Sequence, residues 1–347
     1  MTQLAAVNTV QAALKRWQQS ECLTRQEAHR VLLALTEPTL PAALAGAALV
    51  AQSMNGIDAA ELQGMADGMR ELAKRPELNN VKQCIDIVGT GGDGAHSFNI
   101  SSGAALLLAA TGVTVIKHGN KAVSSRSGSA DVLAALSIPM PMEAATVTRC
   151  VEELGFAFLY APHYHPAMKC VAPVRQALGV RTIFNLLGPL TNPARPTHYV
   201  LGAYSAPVAA IIAQALQGLG IQRAFVIHSH NGWDEATTAS AFTVWDVTPQ
   251  KVSKSERNAA YYGLPVGREA DLKGGDAAAN ASALRAVFTG VDQGAHRDAL
   301  LIGAALGLEV MGIESDPIKA VERVQRTIED GSAERWLDRL IARSQPQ

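Results

Sequence analysis

The sequence predicts an α/β protein, in which an all-helical region precedes a large region built around a mainly parallel sheet. Apolar residues recur at helical spacing as far as about residue 75. From Cys84 onward, short apolar runs end in glycine-rich loops and alternate with helix-like stretches, the pattern of parallel βα units. The chain has 347 residues, of which 48% are hydrophobic, so it can form one large domain and one smaller domain.

The first part of the chain is predicted to be helical. Apolar side chains at helical spacing predict a helix over 4–17. Thr24 and Glu27 have the spacing of a capping box, which predicts the start of the next helix. Ala- and Leu-rich residues 41–53, and the periodic pattern over 58–72, predict two more helices.

Strands and helices are then predicted to alternate. The predicted strands cover 84–88, 113–117, 199–204, 223–228 and 242–247, with a further candidate at 263–266. The predicted helices cover 101–110, 130–136, 207–219, 280–289, 295–306 and 317–328.

The charge balance argues against nucleic-acid binding. Lys plus Arg number 30 and Asp plus Glu number 31, which gives a net charge of -1. A nucleic-acid binder usually carries a basic excess or a basic stripe, and the sequence shows neither. We therefore expect no nucleic-acid partner, and an anionic ligand must be recognised by local geometry.

Cysteine usage and apolar runs predict a cytoplasmic protein without a membrane partner. The cysteines are far apart and form no CxxC pair, so we expect single buried thiols in a reducing compartment; they are Cys22, Cys84, Cys150 and Cys170. The N-terminus has no charged-then-apolar signal pattern. The most apolar stretch, 103–116, is shorter than the roughly 20 residues that a membrane span needs.

The first candidate site is the sequence DIVGTGGD at Asp86–Asp93. A predicted strand ends there in a turn that contains Gly89, Gly91 and Gly92. Glycine permits positive φ and close backbone approach, and successive N–H groups in such a turn form a concavity for an anion. The next predicted helix, which starts near Asn99, would direct its N-terminal N–H groups at the same anion. A tight turn without a ligand is equally compatible, and the pattern is neither a Walker A loop nor GxGxxG.

The second candidate site is the loop Lys117–Ser129, which also leaves the end of an apolar run. It contains three cationic side chains, four hydroxyls and two glycines within thirteen residues. Such donors suit phosphate and pyrophosphate oxygens. A solvated surface loop is the alternative, but both loops follow strands, and parallel sheets place ligand sites at the carboxyl ends of strands.

The third candidate site is the adjacent pair Asp234 and Glu235. Mg²⁺ usually takes one or two protein carboxylates and completes its shell with water and substrate phosphates. A solvated acidic surface is the alternative interpretation. His228 and His230 resemble a metal-binding pair, but no third ligand has suitable spacing, so a zinc site is not predicted.

The fourth candidate site lies between residues 165 and 193. Arg175 is on a helix-like stretch, and its planar guanidinium could bind a carboxylate with two hydrogen bonds. A surface arginine is the alternative. Arg181 and Asn185 are candidates for fixing the turn that precedes Gly188.

Together these segments closely resemble the anthranilate phosphoribosyltransferase family, which carries out the second step of tryptophan biosynthesis. The matching blocks are DIVGTGGDG (86–94), FNIS (98–101), KHGN (117–120), SGSADVL (127–133), HPAMK (165–169), RTIFNLLGPLTNP (181–193) and DLKGGDAAANA (271–281). The resemblance covers about residues 20–310, and the order and spacing of several independent long motifs make it specific.

The resemblance implies a fold of the nucleoside phosphorylase and phosphoribosyltransferase type. A small all-helical domain would cover 1–78 and take in about 166–187, and the α/β catalytic domain would cover 79–165 and 188–347. The family places the catalytic cleft between the domains and forms a homodimer through the helical domains.

The resemblance also implies Mg²⁺-dependent transfer of the 5-phosphoribosyl group of phosphoribosyl pyrophosphate (PRPP) to the anthranilate amine, with release of pyrophosphate. The implied PRPP-binding residues are Gly89, Gly91, Gly92, Asp93, Asn99, Ser101, Ser102, Lys117, Asn120 and Ser129. The implied anthranilate-binding residues are Gly89, His118, Asn120, His165 and Arg175. The implied Mg²⁺ ligands are Ser101, Asp234 and Glu235. No general acid or base is assigned, because the anthranilate amine is already a neutral nucleophile at pH 7.

Some positions depart from the family pattern. Lys121 stands where arginine is frequent, Ser102 where threonine is frequent, and Gly303 lies in a segment where Leu-Asn-Ala-Ala is the common sequence. The segment 236–240 is also unusual. These departures remove no predicted phosphate or metal contact.

Three alternatives stay open at this point. The chain could be a phosphoribosyltransferase paralogue with another aromatic acceptor, a pyrimidine nucleoside phosphorylase of the same fold, or a non-catalytic nucleic-acid-binding relative. The KHGN loop lacks the pattern expected of the phosphorylase. Non-catalytic relatives lose both loops and gain a basic groove, whereas here both loops are present.

Overall fold

A computed structural model describes residues 1–78, 80–122 and 126–345. The strands are β1 (Ile85–Gly89), β2 (Val115–Gly119), β3 (Phe156–Tyr160), β4 (His198–Gly202), β5 (Arg223–Ser229), β6 (Phe242–Val247) and β7 (Val252–Arg257). Within the described residues they form one sheet of seven strands in the order β3-β2-β1-β4-β5-β6-β7. Neighbours from β3 to β5 are parallel, and β6 and β7 are antiparallel to their neighbours. The predicted mainly parallel sheet is confirmed.

Helices cover both ends of the chain and the connections between strands. They are α1 (Gln3–Gln18), α2 (Arg25–Leu35), α3 (Ala42–Asn55), α4 (Ala59–Leu72), α5 (Ile100–Ala110), α6 (Ser129–Ala135), α7 (Ala144–Leu154), α8 (Ala161–Tyr164), α9 (Met168–Leu178), α10 (Phe184–Leu190), α11 (Ala206–Gln217), α12 (Ala277–Phe288), α13 (Ala295–Val310), α14 (Pro317–Glu329) and α15 (Ser332–Ser344). Short 3₁₀ turns lie at Ala259–Tyr262 and Glu269–Leu272. Among the described residues, no helix is long and apolar enough to cross a membrane.

Most predicted elements are confirmed, with shifted ends. The capping box at Thr24 is present, because the Thr24 hydroxyl accepts from the Glu27 backbone N–H and the Glu27 carboxylate accepts from the Thr24 backbone N–H. The strand predicted at 113–117 begins two residues later, at Val115. The candidate strand at 263–266 is wrong, because Gly263 has a φ of 68° and ends a 3₁₀ turn instead.

The cysteine prediction is partly wrong. Cys84 and Cys150 are buried free thiols, as predicted, whereas Cys22 is exposed and Cys170 is half-buried. Cys22 lies in the connection between α1 and α2. Nothing in the local sequence separates this cysteine from a core thiol.

The first four helices form a bundle around a buried carboxylate. The Glu61 side chain is fully buried, and its Oε1 accepts hydrogen bonds from Trp17 Nε1 at 2.8 Å and from the Leu23 backbone N–H at 2.7 Å. Its Oε2 accepts from Gln52 Nε2 at 3.3 Å. Because buried polar groups are costly unless they are hydrogen-bonded, these contacts fix the relative positions of α1, α3 and α4.

Both faces of the sheet are buried, and alternate residues of each strand enter different apolar clusters. On β4, Tyr199 and Leu201 belong to a cluster that includes the helical bundle and α11. Val200 points to the other face and belongs to a cluster with α5 and the C-terminal helices. The helical bundle is therefore packed directly onto one face of the sheet.

The order of the strands sets the position of a ligand site. β1 and β4 are neighbours, but the chain leaves β1 toward β2 and leaves β4 toward β5, on the opposite side. In parallel sheets, ligands bind at the carboxyl ends of strands where the strand order reverses in this way. The loop after β1, which begins at Gly89, lies at this point.

Helix α5, which begins after this loop, is in close contact with α13. Gly303 on α13 faces Ala104 on α5, and a Cβ atom at Gly303 would lie 2.6 Å from the Ala104 Cβ. Neither atom can turn away, because both are attached directly to helical backbone. Gly303, one of the departures from the family pattern, is thus required by helix packing.

Replacing Gly303 by alanine should therefore destabilise the protein. The added methyl group forces α5 and α13 apart, and overpacking of this kind costs about 1–3 kcal/mol of the free energy of unfolding. Thermal and urea unfolding followed by circular dichroism measure the change. The matched control is Gly46→Ala on α3, whose Cβ would meet Val174 and Leu178 at 3.8 and 3.9 Å, an ordinary contact distance. This control should gain about 0.5–1 kcal/mol, and a Gly303→Ala protein as stable as the wild type would contradict the packing argument.

Candidate active site

A cleft of about 460 Å³ opens between the carboxyl ends of the strands and the segment that contains α8, α9 and α10. Its walls include Met69, Thr90, Phe184 and Leu187. All five residues predicted to bind anthranilate line this cleft; they are Gly89, His118, Asn120, His165 and Arg175. The structure thus brings together residues that are up to 86 positions apart in the chain.

The glycine-rich loop after β1 is shaped around the Asp234 carboxylate. The Gly91 N–H donates to Asp234 Oδ2 at 2.6 Å, and the Asp234 N–H donates to Asp93 Oδ2 at 3.3 Å. A Cβ atom at Gly89 would overlap Asp234 Oδ2. Gly91 and Gly92 have φ values of 66° and 76°, which residues other than glycine rarely adopt. The loop therefore needs glycine for its backbone conformation and for close approach to the carboxylate.

Arg181 joins the glycine loop to the other side of the cleft. Its Nη2 donates to the Gly92 carbonyl, and its guanidinium lies 4.3 Å from the centre of the Tyr204 ring. The prediction that Asn185 fixes the turn before Gly188 is confirmed, because its Oδ1 accepts from the Thr182 N–H at 3.0 Å. The same prediction is wrong for Arg181, because its guanidinium contacts Gly92 and Tyr204. Sequence spacing could not indicate a contact over this distance in the chain.

Asp234 and Glu235 lie together beneath the glycine loop. Asp234 is buried and Glu235 is half-buried, and Glu235 Oε1 accepts from the Ser101 N–H at 3.2 Å. Burial, and then the neighbouring Asp93 carboxylate, raises the pKa of Asp234. Burial, and then Asp234, raises the pKa of Glu235. Two carboxylates that resist ionisation in this way fit a divalent cation, whose charge would offset both effects.

The ligand set also fits magnesium in its chemistry. In the described part of the chain, no group of three or more His, Cys, Asp or Glu side chains has the geometry to hold a metal ion by itself. Mg²⁺ prefers oxygen ligands and commonly takes only one or two carboxylates from the protein, with the rest from substrate and water. Ser101 lies in the first turn of α5 beside Glu235, whereas the Ser102 side chain is buried toward the core.

Lys117 is buried below the cleft and does not form part of its lining. Its Nζ donates to the Ile87 carbonyl, and burial lowers the pKa of its ammonium group although the carboxylates of Asp86, Glu235 and Asp234 favour the charged form. The predicted contact with PRPP would require the buried ammonium group to become accessible from the cleft.

A buried acid on β1 was not identified from the sequence. Asp86 is fully buried, accepts from Asn192 Nδ2 at 2.8 Å and lies beside Lys117. Asn192 also donates to the Ile116 carbonyl at 2.8 Å, so it joins β1 to β2. The sequence signal for this role was the position of Asp86 within an apolar strand, because a buried carboxylate is costly unless it is paired.

The loop after β2 is closed by contacts near its two ends. Ser129 Oγ donates to the Asn120 carbonyl at 3.2 Å. Asp131 Oδ2 accepts from the N–H groups of Ala122 and Gly128 at 2.8 and 3.0 Å. The part of the hydroxyl-rich loop at 123–125, which includes two of its serines, lies outside the described residues. Asp131 was not predicted as a site residue, although it lies in a matching block.

Two neutral histidines line the cleft. The rings of His118 and His165 are edge-to-face, with centroids 5.0 Å apart. Burial lowers the pKa of His118 to about 3 and the pKa of His165 to about 4, so both rings are uncharged at pH 7. His118 Nδ1 lies 3.2 Å from the Gly188 carbonyl, which places the proton on Nδ1 and leaves Nε2 as an acceptor.

Arg175 places one positive charge in the same cleft as these neutral rings. Its guanidinium lies 5.2 Å from the centre of the Phe184 ring, and burial lowers the pKa of Arg175. No carboxylate pairs with it within the described residues. A flat aromatic ligand with a carboxylate would fit between the rings and this guanidinium.

Family models match both parts of the chain. The model described as "Glycosyl transferase family, a/b domain" matches residues 81–334. The model described as "Glycosyl transferase family, helical bundle domain" matches residues 11–73. These two matches agree with the observed helical bundle and the large α/β region.

Similar proteins carry one functional name. The anthranilate phosphoribosyltransferase of Anaeromyxobacter dehalogenans (strain 2CP-C) is 44% identical over 333 residues, which are 96% of this chain and 98% of that protein. The anthranilate phosphoribosyltransferase of Chloroflexus aurantiacus (strain ATCC 29366 / DSM 635 / J-10-fl) is 41% identical over 92% of this chain and 94% of that protein.

Solved structures agree with these relatives. The crystal structure of anthranilate phosphoribosyltransferase from Thermus thermophilus matches with a TM-score of 0.89 and 40% identity, covering 96% of this chain and 99% of that chain. The enzyme from Saccharomyces cerevisiae in complex with PRPP and Mg matches with a TM-score of 0.89 and 25% identity, covering 97% of this chain and 98% of that chain. Fold, site geometry and sequence similarity agree: the chain belongs to the anthranilate phosphoribosyltransferase family.

Proposed function

We propose that this chain transfers the 5-phosphoribosyl group of PRPP to the amine of anthranilate, with Mg²⁺ as cofactor and pyrophosphate as the other product. The observation that carries this proposal is that one cleft, lined by Arg175 and the neutral histidines, reaches Gly89 and Thr90 of the glycine loop. The same loop is hydrogen-bonded through the Gly91 N–H to the carboxylate of Asp234, next to Glu235. Family membership supports it, and so does the yeast relative, whose structure contains PRPP and Mg.

The glycine-loop side of the cleft would bind PRPP. N–H groups of the loop and of the first turn of α5 suit pyrophosphate oxygens. The proposed PRPP-binding residues are Gly89, Gly91, Gly92, Asp93, Asn99, Ser101, Ser102, Lys117, Asn120 and Ser129. Asp234, Glu235 and Ser101 would hold Mg²⁺, which offsets the charge that develops on the pyrophosphate leaving group.

The histidine side of the cleft would bind anthranilate. Arg175 would bind the carboxylate with its guanidinium, and the neutral rings of His118 and His165 would flank the aromatic ring without adding charge. The amine would then face the anomeric carbon of PRPP near Asn120. The chain acts mainly by aligning the two reactants and excluding water from a cationic ribosyl transition state.

The domain division and the assembly are also proposals. We propose a helical domain of 1–78 that takes in about 166–187, with an α/β domain of 79–165 and 188–347; residue 79 itself lies outside the described residues. The packing of α9 against α3 supports this division. The two helices border an apolar surface groove that includes Gly46, Val50 and Val174, which supports a homodimer through the helical domains. A cytoplasmic location fits the free thiols.

The proposed activity predicts Mg²⁺-dependent loss of anthranilate fluorescence when PRPP is added, and loss of turnover when EDTA removes the metal. Asp234→Asn combined with Glu235→Gln should abolish this turnover while leaving the circular dichroism spectrum unchanged, because the amides cannot offset the charge of the cation. Glu256→Gln, at an exposed position of β7, is the matched control and should keep full activity. Full activity in the double variant would overturn the metal assignment.

The proposed carboxylate contact predicts a selective defect in Arg175→Ala. The KM for anthranilate should rise about 10- to 100-fold, since a hydrogen bond to a charged group contributes about 1.5–3 kcal/mol, while the KM for PRPP stays within about twofold. Steady-state kinetics with each substrate varied in turn measure the two constants. The variant should also lose its preference for anthranilate over aniline, which lacks the carboxylate. Equal increases in both KM values would remove this role from Arg175.

A further inference from the structure

The segment 271–281, with the sequence DLKGGDAAANA, lies against the start of α5 but does not line the cleft. We propose that Asn280 in this segment is a positioning residue for PRPP, which acts by holding the amide group of Asn99 in one orientation. The inference rests on the proposed function, in which Asn99 contacts PRPP.

The Asn280 amide has only one orientation that satisfies its neighbours. The side chain is buried, and its Oδ1 accepts from the Gly275 backbone N–H at 2.7 Å. Because a backbone N–H can only donate, Oδ1 of Asn280 must face Gly275. The amide Nδ2 is then directed at Asn99, and it donates to Asn99 Oδ1 at 2.8 Å.

The orientation of Asn99 follows from this contact. Its Oδ1 is occupied by Asn280, so its Nδ2 points the other way and donates to the Ser127 carbonyl at 3.3 Å. A carbonyl can only accept, so the orientation of the Asn99 amide is fixed at the Ser127 end as well. The relay runs from the Gly275 N–H through Asn280 and Asn99 to the Ser127 carbonyl, and each step has a defined donor.

The relay connects two loops that the proposed function places around PRPP. Asn99 is the N-cap residue of α5, and the Ser101 N–H two residues later donates to Glu235. Ser127 lies in the loop that follows β2. Asn280 therefore holds the glycine-loop side and the β2-loop side of the site at a fixed separation, from a position outside the cleft.

The backbone around Asn280 is held rigidly against the same region. The Phe98 N–H donates to the Leu272 carbonyl at 2.9 Å, and the Gly274 N–H donates to the His96 carbonyl at 2.8 Å. A Cβ atom at Gly274 would lie 2.5 Å from the Ser97 carbonyl oxygen, so the two segments are in close backbone contact. Asn280 has little freedom to follow Asn99 if that amide turns.

The test is Asn280→Asp, which keeps the shape of the side chain and replaces its donor by an acceptor. The ionised carboxylate faces Asn99 Oδ1 with a like partial charge, so Asn99 turns and loses the Ser127 carbonyl. We expect the KM for PRPP, and the Kd of PRPP with Mg²⁺ by calorimetry, to rise about tenfold or more, while the KM for anthranilate changes less than about twofold.

The pH profile separates positioning from a loss of structure. When the carboxyl group of the Asn280→Asp variant is protonated, it can again donate to Asn99, so the ratio of variant to wild-type KM for PRPP should fall as the pH is lowered. A defect in folding alone would not show this recovery.

A matched control lies next to the same helix. Asp276 caps α12 through its Oδ1, which accepts from the Ala279 N–H at 2.9 Å, and it is exposed. Asp276→Ala should lower the melting temperature through loss of the cap but leave the KM for PRPP within about twofold of the wild type. Asn280→Ser is a second variant in case the aspartate does not fold; its single hydroxyl cannot reach both partners, so it should also weaken PRPP binding.

Three results would overturn the inference. They are an unchanged KM for PRPP in Asn280→Asp, equal increases in both KM values, or an increase in Asp276→Ala as large as in Asn280→Asp. The calorimetric measurement of PRPP binding does not require anthranilate. A wild-type chain that binds PRPP but does not consume anthranilate would therefore contradict the proposed function and still allow the role of Asn280 to be decided.

Discussion

The contacts of Asp234 with the ends of β1 and β4 determine the geometry of the whole site. A Cβ atom at Gly89, where β1 ends, would overlap the carboxylate, and one at Gly202, where β4 ends, would overlap the Asp234 carbonyl. Glycine at both strand ends thus allows the acidic loop after β5 to enter the point where the strand order reverses. The Gly91 N–H then fixes the carboxylate, so the proposed metal-binding and anion-binding parts of the site form as one unit.

The charged groups in and around the cleft are arranged so that bound ligands would neutralise them. The whole chain has a net charge of -1, yet the site combines the acid pair Asp234 and Glu235, a buried Lys117, and Arg175, which has no carboxylate partner among the described residues. Burial weakens the charged form of each of these groups. A metal ion with a diphosphate on one side, and a carboxylate on the other, would supply the missing opposite charges. The neutral rings of His118 and His165 add no charge to the side of the cleft proposed for anthranilate.

Much of this architecture was predictable from the sequence, because helical periodicity and turn chemistry are local. β3 and β7 were missed. The residues 252–257 are largely polar and form an edge strand, whereas an apolar run as short as 156–160 cannot be told from a buried helical segment by its periodicity. Asn280 and Asn99 are 181 residues apart, and Arg181 and Gly92 are 89 residues apart. No spacing rule predicts such pairs. The matching blocks indicated that 271–281 mattered, but only the folded chain shows which atoms it touches.

The apolar cluster shared by the helical bundle and one face of the sheet has a consequence for how the protein can be divided. Leu62 and Met65 of α4 belong to the same cluster as Ala209 and Ile212 of α11 and as Leu201 of β4. Expressed alone, a fragment that ends near residue 78 would present this surface to water, and its complement would lack the layer that covers β4 and β5. The two parts share one apolar core, so cleavage between them should produce association-prone fragments.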